Sequence, residues 1–288
     1  MALPMQVFRQ IRTAIRNLDP DQVHEAASRP FSVGLAGMSS EILEEMEDFL
    51  APPTLSRGKR LQLLEVLHRA GDSGVPRDFD IVITEEGLPG PADSFPFHPD
   101  RPEATLRQIL LKRKDLSLAL ASRLPPFRQP VINQIIRQVS RENALFALMT
   151  ALPDMLPSIF SLGWATAEFA SDTAVITVNQ VRMAFLIAAA SGRSAGYREQ
   201  QHDIAAIIAG AFGWRALARE LAGKIPFGGG LVPKAAIAYA GTYVAGLGLE
   251  RYYRVGSRLA AAEREAAYRD ALESGRRFAK WALGAAPK

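Results

Sequence analysis

The hydrophobic positions between residues 143 and 256 form long helical stretches, each interrupted by a few isolated charges. The stretches read NALFALMTALPDMLPSIFSLGWATAEFA, TAVITVNQVRMAFLIAAASG, DIAAIIAGAFGWRALARELAG and GLVPKAAIAYAGTYVAGLGLERYY. Their uncharged runs are shorter than the roughly 20 residues of a membrane-spanning helix, yet they are more apolar than ordinary surface helices. The pattern predicts helices that associate with a membrane, and the alternative is a bundle with an ordinary buried core.

Shorter patterns occupy the first hundred residues. FSVGLAG (31–37) and DFDIVIT (78–84) are apolar runs typical of buried strands. SSEILEEMEDFL between them predicts a helix with Ser39 or Ser40 as its cap, and a second helix is predicted over 58–70. This strand–helix–helix–strand order indicates a small α/β layer with parallel strands.

The segment 87–102 is rich in proline and glycine and predicts a connector, after which the pattern is helical almost throughout. We therefore predict a mainly α fold, in which a small degenerate α/β (Rossmann-like) N-terminal layer precedes a larger apolar helical bundle. The predicted segments are an amphipathic N-terminal helix (1–30), a small α/β domain (31–102), connecting helices (103–140), an apolar helical domain (141–256) and a charged C-terminal helix (257–288).

Charge is distributed unevenly along the chain. Residues 1–140 contain 17 basic and 18 acidic side chains, whereas residues 141–288 contain 17 basic and 12 acidic ones. The apolar half is thus also the basic half, which favours anionic membrane lipids as a partner. The basic residues are scattered among apolar helices, so no nucleic-acid partner is predicted.

Motifs for catalysis, metals and cofactors do not emerge from the sequence. There are no cysteines, and GLAGMSS (34–40) lacks the lysine that a phosphate-binding loop places after its last glycine. The histidines show no metal-binding spacing; they are His24, His68, His98 and His202. We expect a protein that is not an enzyme and that carries no cofactor and no metal. An enzyme with a site between the α/β layer and the helices is a further alternative.

Polar and small residues inside the apolar helices are the candidate functional positions. Buried polar groups need partners, and ionisable groups at membrane depth usually face a bundle interior or water. Small residues four apart let helices approach closely, within one chain or between two copies. The candidates for a packing or polar seam are Asp154, Asp172, Asn179, Gln180, Arg182, Lys234, Gly241, Thr242 and Gly246. KIPFGGG predicts a hinge at Pro226, Gly228, Gly229 and Gly230.

Four phrases occur together in the second half of the chain: NALFALMTALPDMLP, TVNQVRMAFLIAA, AFGWRALARELAGKIPFGG and KAAIAYAGTYVAGLGLERYYRVG. They resemble the hydrophobic domain of unknown function that is found in YcjF-type bacterial inner-membrane proteins and appended to some bacterial GTPases. The resemblance covers about residues 140–256. Its markers correspond to Pro153, Asn179, Gln180, Pro226, Gly241, Thr242, Tyr253 and Gly256.

The resemblance implies association with the bacterial inner membrane or its cytoplasmic surface, and a link to GTPases. It implies no catalytic residues. Because this chain lacks the lysine of a phosphate-binding loop, a GTPase acting in trans is the expected partner, beside membrane lipids and a second copy of the chain. The lead hypothesis is a non-enzymatic, membrane-associated helical protein, and the alternative is a cytoplasmic helical binding module.

Overall fold

The computed structural model of the protein describes residue 15 and residues 18–72, 78–150, 172–207 and 231–284. Within these ranges the chain is mainly helical and carries a small parallel sheet, which confirms the predicted fold class. The helices are α1 (Pro20–Ser28), α2 (Ser40–Leu50), α3 (Arg57–Leu64), α4 (Pro102–Lys112), α5 (Ser117–Arg123), α6 (Pro125–Met149), α7 (Asp172–Ala190), α8 (Leu231–Val255) and α9 (Ala261–Gly284). Residues 201–207 are also helical.

The sheet is built from four parallel strands: β1 (Val33–Ala36), β2 (Leu67–Arg69), β3 (Ile81–Glu85) and β4 (Phe95–Phe97). Their order is β2-β1-β3-β4, and Val33 pairs with Leu67 on one side and Ile81 on the other. The strands predicted at 31–37 and 78–84 are confirmed as β1 and β3. Ser39 is the N-cap of α2, where its side chain accepts a hydrogen bond from the Ile42 amide.

The structure differs from the predicted elements at two places. The helix predicted over 58–70 ends at Leu64, and residues 67–69 form β2 beside β1. The predicted connector over 87–102 contains β4, whose central residue is Pro96. Proline has no amide hydrogen to donate, so it is tolerated in a strand at the edge of the sheet, where β4 lies.

The chain divides into two compact units. The sheet unit comprises Gln22–Asn133 and Ala189–Ser194, and the helical unit comprises Met1–Asp21, Gln134–Ala188 and Ala195–Lys288. In the sheet unit, Leu35, Met46 and Phe97 are among the fully buried side chains.

In the helical unit, α7 is largely buried: none of the side chains from 174 to 188 is fully exposed, and those at 178, 182 and 186 form one partly exposed face. Such a helix is apolar around most of its circumference, which explains the weak amphipathic pattern of its sequence. Helices α8 and α9 pack antiparallel across a short connection. Gly256 ends α8 with a φ of +72°, a conformation that glycine adopts without strain. Gly275 of α9 approaches the backbone of α8 at Ala236.

The four apolar stretches of the sequence lie only partly within the described residues. The second corresponds to α7 and the fourth to α8, whereas 151–171 and 208–230 lie outside the described residues, as does nearly all of the predicted N-terminal helix. No helix in the described ranges is both long enough and apolar enough to cross a membrane.

Replacing Gly275 with alanine should lower the free energy of unfolding. The added Cβ would lie 2.9 Å from the Cα of Ala236 and 2.9 Å from the Cβ of Tyr239. Overpacking of this kind costs about 1–3 kcal/mol, against a gain of about 0.5–1 kcal/mol when alanine replaces glycine within a helix. Urea denaturation followed by circular dichroism measures the difference.

Gly248→Ala in α8 is the matched control. A Cβ at residue 248 meets no atom within 4 Å, so this variant should gain about 0.5–1 kcal/mol from helix propensity alone. An equal gain in both variants would contradict the close approach of α8 and α9.

Candidate functional site

Several polar residues predicted as candidates converge between three helices of the helical unit. Asn143 of α6, Asn179 and Gln180 of α7, and Thr242 of α8 are all buried, with exposed fractions of 0 to 6%. We call these four residues, together with Glu142 and Arg182 at their outer end, the polar seam. Burying an amide costs several kcal/mol unless its hydrogen-bonding groups find partners.

The buried part of the seam is held by short hydrogen bonds between helices. The Nδ2 of Asn143 donates to the Oγ1 of Thr242 at 2.8 Å, and the Nε2 of Gln180 donates to the same oxygen at 3.2 Å. The Nδ2 of Asn179 donates to the Oδ1 of Asn143 at 2.9 Å. Each of the three helices is therefore bonded to the other two through side chains.

At its outer end the seam meets an ion pair. The Nε of Arg182 donates to the Oδ1 of Asn179 at 3.0 Å, and its guanidinium contacts the carboxylate of Glu142. The side chains of Arg182 and Glu142 are 30% and 14% exposed, so the pair is partly shielded from water. The Nδ2 of Asn179 lies 3.3 Å from the same carboxylate. The polarity of the seam thus increases from the interior towards the surface.

The four buried residues of the seam are suited to holding the helices in one orientation. Amides and a threonine hydroxyl do not titrate near neutral pH, and a hydroxyl becomes a nucleophile only beside a base. A satisfied buried network instead favours one arrangement of the helices, because any shift leaves buried groups without partners.

The other predicted candidates have different surroundings. Lys234 is exposed near the start of α8, and its Nζ lies 3.1 Å from the Oγ1 of Thr150. Gly241 and Gly246 are buried in α8, and a Cβ at Gly246 would lie 2.7 Å from the Cγ1 of Ile136. Asp172 is the first residue of α7. Asp154 and the predicted hinge at Pro226, Gly228, Gly229 and Gly230 lie outside the described residues.

Two residues of the seam, Glu142 and Asn143, are absent from the predicted candidates. Asn143 opens the first apolar stretch and is easily counted with it. The available signal is helical spacing, since Asn143 lies seven residues after Ile136 and four before Ala147, and both of these are buried.

A second feature of the helical unit is a surface cleft of about 790 Å³ between α6, α8 and α9. We call it the arginine–aromatic cleft. Its walls are Arg137, Arg141, Leu145, Tyr239, Tyr243, Asp270, Ala271, Ser274, Arg277, Phe278 and Trp281. On each helix these residues recur at spacings of three or four, so each helix contributes one face.

The aromatic rings of the cleft form a continuous series. Tyr239 stacks on Tyr243 with centroids 6.0 Å apart and an interplanar angle of 11°. Phe278 lies 6.4 Å from Tyr239 and 5.7 Å from Trp281. The guanidinium of Arg141 lies 5.9 Å from the ring centre of Phe278, a favourable cation–π distance. Trp281 is 66% exposed at the end of the series.

The cleft carries an excess of positive charge. It contains three arginines and one carboxylate, that of Asp270, which leaves a net charge of +2. Neither Arg137 nor Arg141 forms an ion pair with a carboxylate of the described residues, and Arg277 donates to the Oγ of Ser274 at 3.1 Å. Burial raises the pKa of Tyr239, while the neighbouring Arg141 opposes that shift. Tyr239 therefore remains neutral at physiological pH.

The loop that follows β1 in the sheet unit provides no free cradle for phosphate. The amide of Met38 donates to the Oε2 of Glu85 at 2.7 Å, and the Oγ of Ser39 caps α2. A carboxylate at this amide repels a phosphate group. Elsewhere in the described ranges, no three His, Asp or Glu side chains converge as metal ligands would.

No known family model, curated protein or solved structure matches this chain. The resemblance to the hydrophobic domain of YcjF-type proteins therefore stays a prediction.

Replacing Asn143 with alanine should destabilise the helical unit by about 1–3 kcal/mol, since the substitution leaves buried hydrogen-bonding groups without partners. Gln134→Ala, at an exposed position of the same helix, should change stability by less than about 0.5 kcal/mol. Denaturant unfolding measures both.

A double-mutant cycle with Thr242→Val isolates the hydrogen bond between Asn143 and Thr242. Residues in one hydrogen-bond network couple by about 0.5–3 kcal/mol. Strict additivity of the two substitutions would contradict the seam as described.

Proposed function

We propose that the protein is a non-enzymatic helical protein that associates with anionic membrane surfaces through the arginine–aromatic cleft. The observation that carries this proposal is the combination, in one cleft, of an exposed tryptophan and arginines that have no carboxylate partner among the described residues. Arginine, tyrosine and tryptophan are the side chains suited to the boundary between lipid headgroups and hydrocarbon, because each combines an apolar body with a polar or charged end.

The charge of the surrounding sequence supports the same partner. The segment from Ser274 to Lys288 contains four basic residues and no acidic one, and it includes Arg277 and Trp281 of the cleft. Basic residues near an anionic leaflet contribute about 1 kcal/mol each. The three arginines of the cleft together contribute about 3 kcal/mol on this scale, which supports reversible attachment to a surface without insertion of a helix across the bilayer.

The polar seam supports the non-enzymatic part of the proposal, since its side chains are hydrogen-bonded to one another and hold the three helices together. A GTPase acting in trans stays a prediction of the sequence resemblance. A partner that binds the nucleotide itself is compatible with the contact between Glu85 and the amide of Met38, because this contact disfavours nucleotide binding at the loop after β1.

Binding to vesicles tests the proposal. We expect the full chain to co-sediment with phosphatidylglycerol-containing vesicles and to bind pure phosphatidylcholine weakly. Loss of two cleft charges in Arg141→Gln/Arg277→Gln should weaken binding to the anionic vesicles by roughly tenfold or more, at about 1 kcal/mol for each arginine. Trp281→Ala should weaken binding to both kinds of vesicle.

The matched control is Arg107→Gln/Arg269→Gln, which removes the same charge from exposed positions outside the cleft. Equal losses in the two double variants would mean that overall charge, and not the cleft, is responsible. No binding to anionic vesicles would overturn the proposal and favour the helical binding module.

A further inference from the structure

A separate cavity of about 290 Å³ lies on another side of α8. Val244, Gly248 and Leu249 of α8 contribute to its wall, together with Gln180 of α7. The arginine–aromatic cleft uses Tyr239 and Tyr243 of α8. Because neighbouring residues of a helix point about 100° apart, residues 244 and 248 present a different face from residues 239 and 243.

The polar side of this cavity is basic. Arg258 and Arg264 line it, and neither forms an ion pair with a carboxylate of the described residues. The carboxylate in the wall belongs to Asp203, whose Oδ2 accepts a 2.6 Å hydrogen bond from the hydroxyl of Tyr253. The two guanidinium groups therefore retain donors for an external anion.

The other side of the cavity is apolar and has space. Val244 and Leu249 are buried residues of α8 that form part of the wall. A Cβ at Gly248 would meet no atom within 4 Å, although glycine within a helix is less stable than alanine. The missing side chain leaves room for a ligand against the helix.

From these observations we infer that the cavity binds a small amphipathic organic anion. The acidic group of the ligand is held by Arg258 and Arg264, and its hydrocarbon part lies against Val244, Leu249 and the backbone at Gly248. Gln180 lies at the inner wall, where its Nε2 donates to Thr242 of the polar seam. This site is independent of the membrane association proposed above.

Octanoate is a suitable probe, with 1-octanol as its neutral counterpart, and isothermal titration calorimetry on the full chain measures binding. We expect one octanoate per chain and a raised melting temperature on saturation, because the ligand binds the folded state. Arg258→Gln/Arg264→Gln should weaken octanoate binding at least tenfold and leave the affinity for 1-octanol within about twofold. Arg107→Gln/Arg269→Gln is the control for lost charge and should bind octanoate normally.

Gly248→Leu tests the apolar side, since the added side chain occupies the space of the ligand. Binding of both probes should be lost, while Gly248→Ala should retain it. If Gly248→Leu fails to fold, the arginine variants still decide the question. The inference is overturned if octanoate does not bind, or if the arginine variants bind it as well as the unaltered chain. Arg141→Gln/Arg277→Gln should bind octanoate normally, so that failure here and failure of the vesicle experiment are distinguishable.

Discussion

The hydrogen bond between Asn143 and Thr242 is the constraint on which the arrangement of the helical unit depends. Both residues are fully buried, so neither can exchange its partner for water. A shift of α8 by one turn would carry Thr242 about 5.4 Å away from Asn143. It would also move Gly246 away from Ile136, whose side chain leaves no room for a Cβ at that position of α8. The buried hydrogen bond and the close packing thus favour the same register of α8 against α6.

That register determines the surfaces that α8 presents. One face of α8 meets the seam through Thr242, a second face carries Tyr239 and Tyr243 in the arginine–aromatic cleft, and a third carries Gly248 in the small cavity. A helix of 25 residues can serve three environments because residues three and four apart share a face. The seam therefore positions both candidate binding surfaces, although its own groups are engaged with one another.

The elements that can be predicted from this sequence are those whose signals lie within one segment of the chain. Helical periodicity predicts α7, α8 and α9, and an apolar run of strand length predicts β1 and β3, because these signals lie within one segment. The three-residue strands β2 and β4 escape prediction, since β2 continues the apolar pattern of α3 and β4 contains Pro96. Both strands exist because neighbouring strands bond to them, and the spacing of residues within a segment contains no such information.

The same distinction applies to the candidate site. Polarity within an apolar stretch indicates Asn179, Gln180 and Thr242 as unusual, but only the packing of α6 against α7 and α8 brings Asn143 to them. The cleft needs side chains from three helices, and each contribution alone resembles an ordinary solvated face.

The polar residues that look most unusual within the apolar helices, such as Asn179 and Thr242, are bonded to other side chains of the seam. A polar group inside an apolar helix is tolerated when it forms hydrogen bonds within the fold. Its donors and acceptors are then already used and are not free to bind a ligand. Arg141, Arg264 and Arg277 look ordinary in the sequence because charged residues on helices usually face water, and Arg258 lies in the short connection before α9. In the structure they stand beside cavities without carboxylate partners among the described residues. Each of these cavities has more arginines than carboxylates in its wall, which favours binding of an anion. A binding surface is therefore better sought among charges that the fold leaves unpaired than among those that it buries.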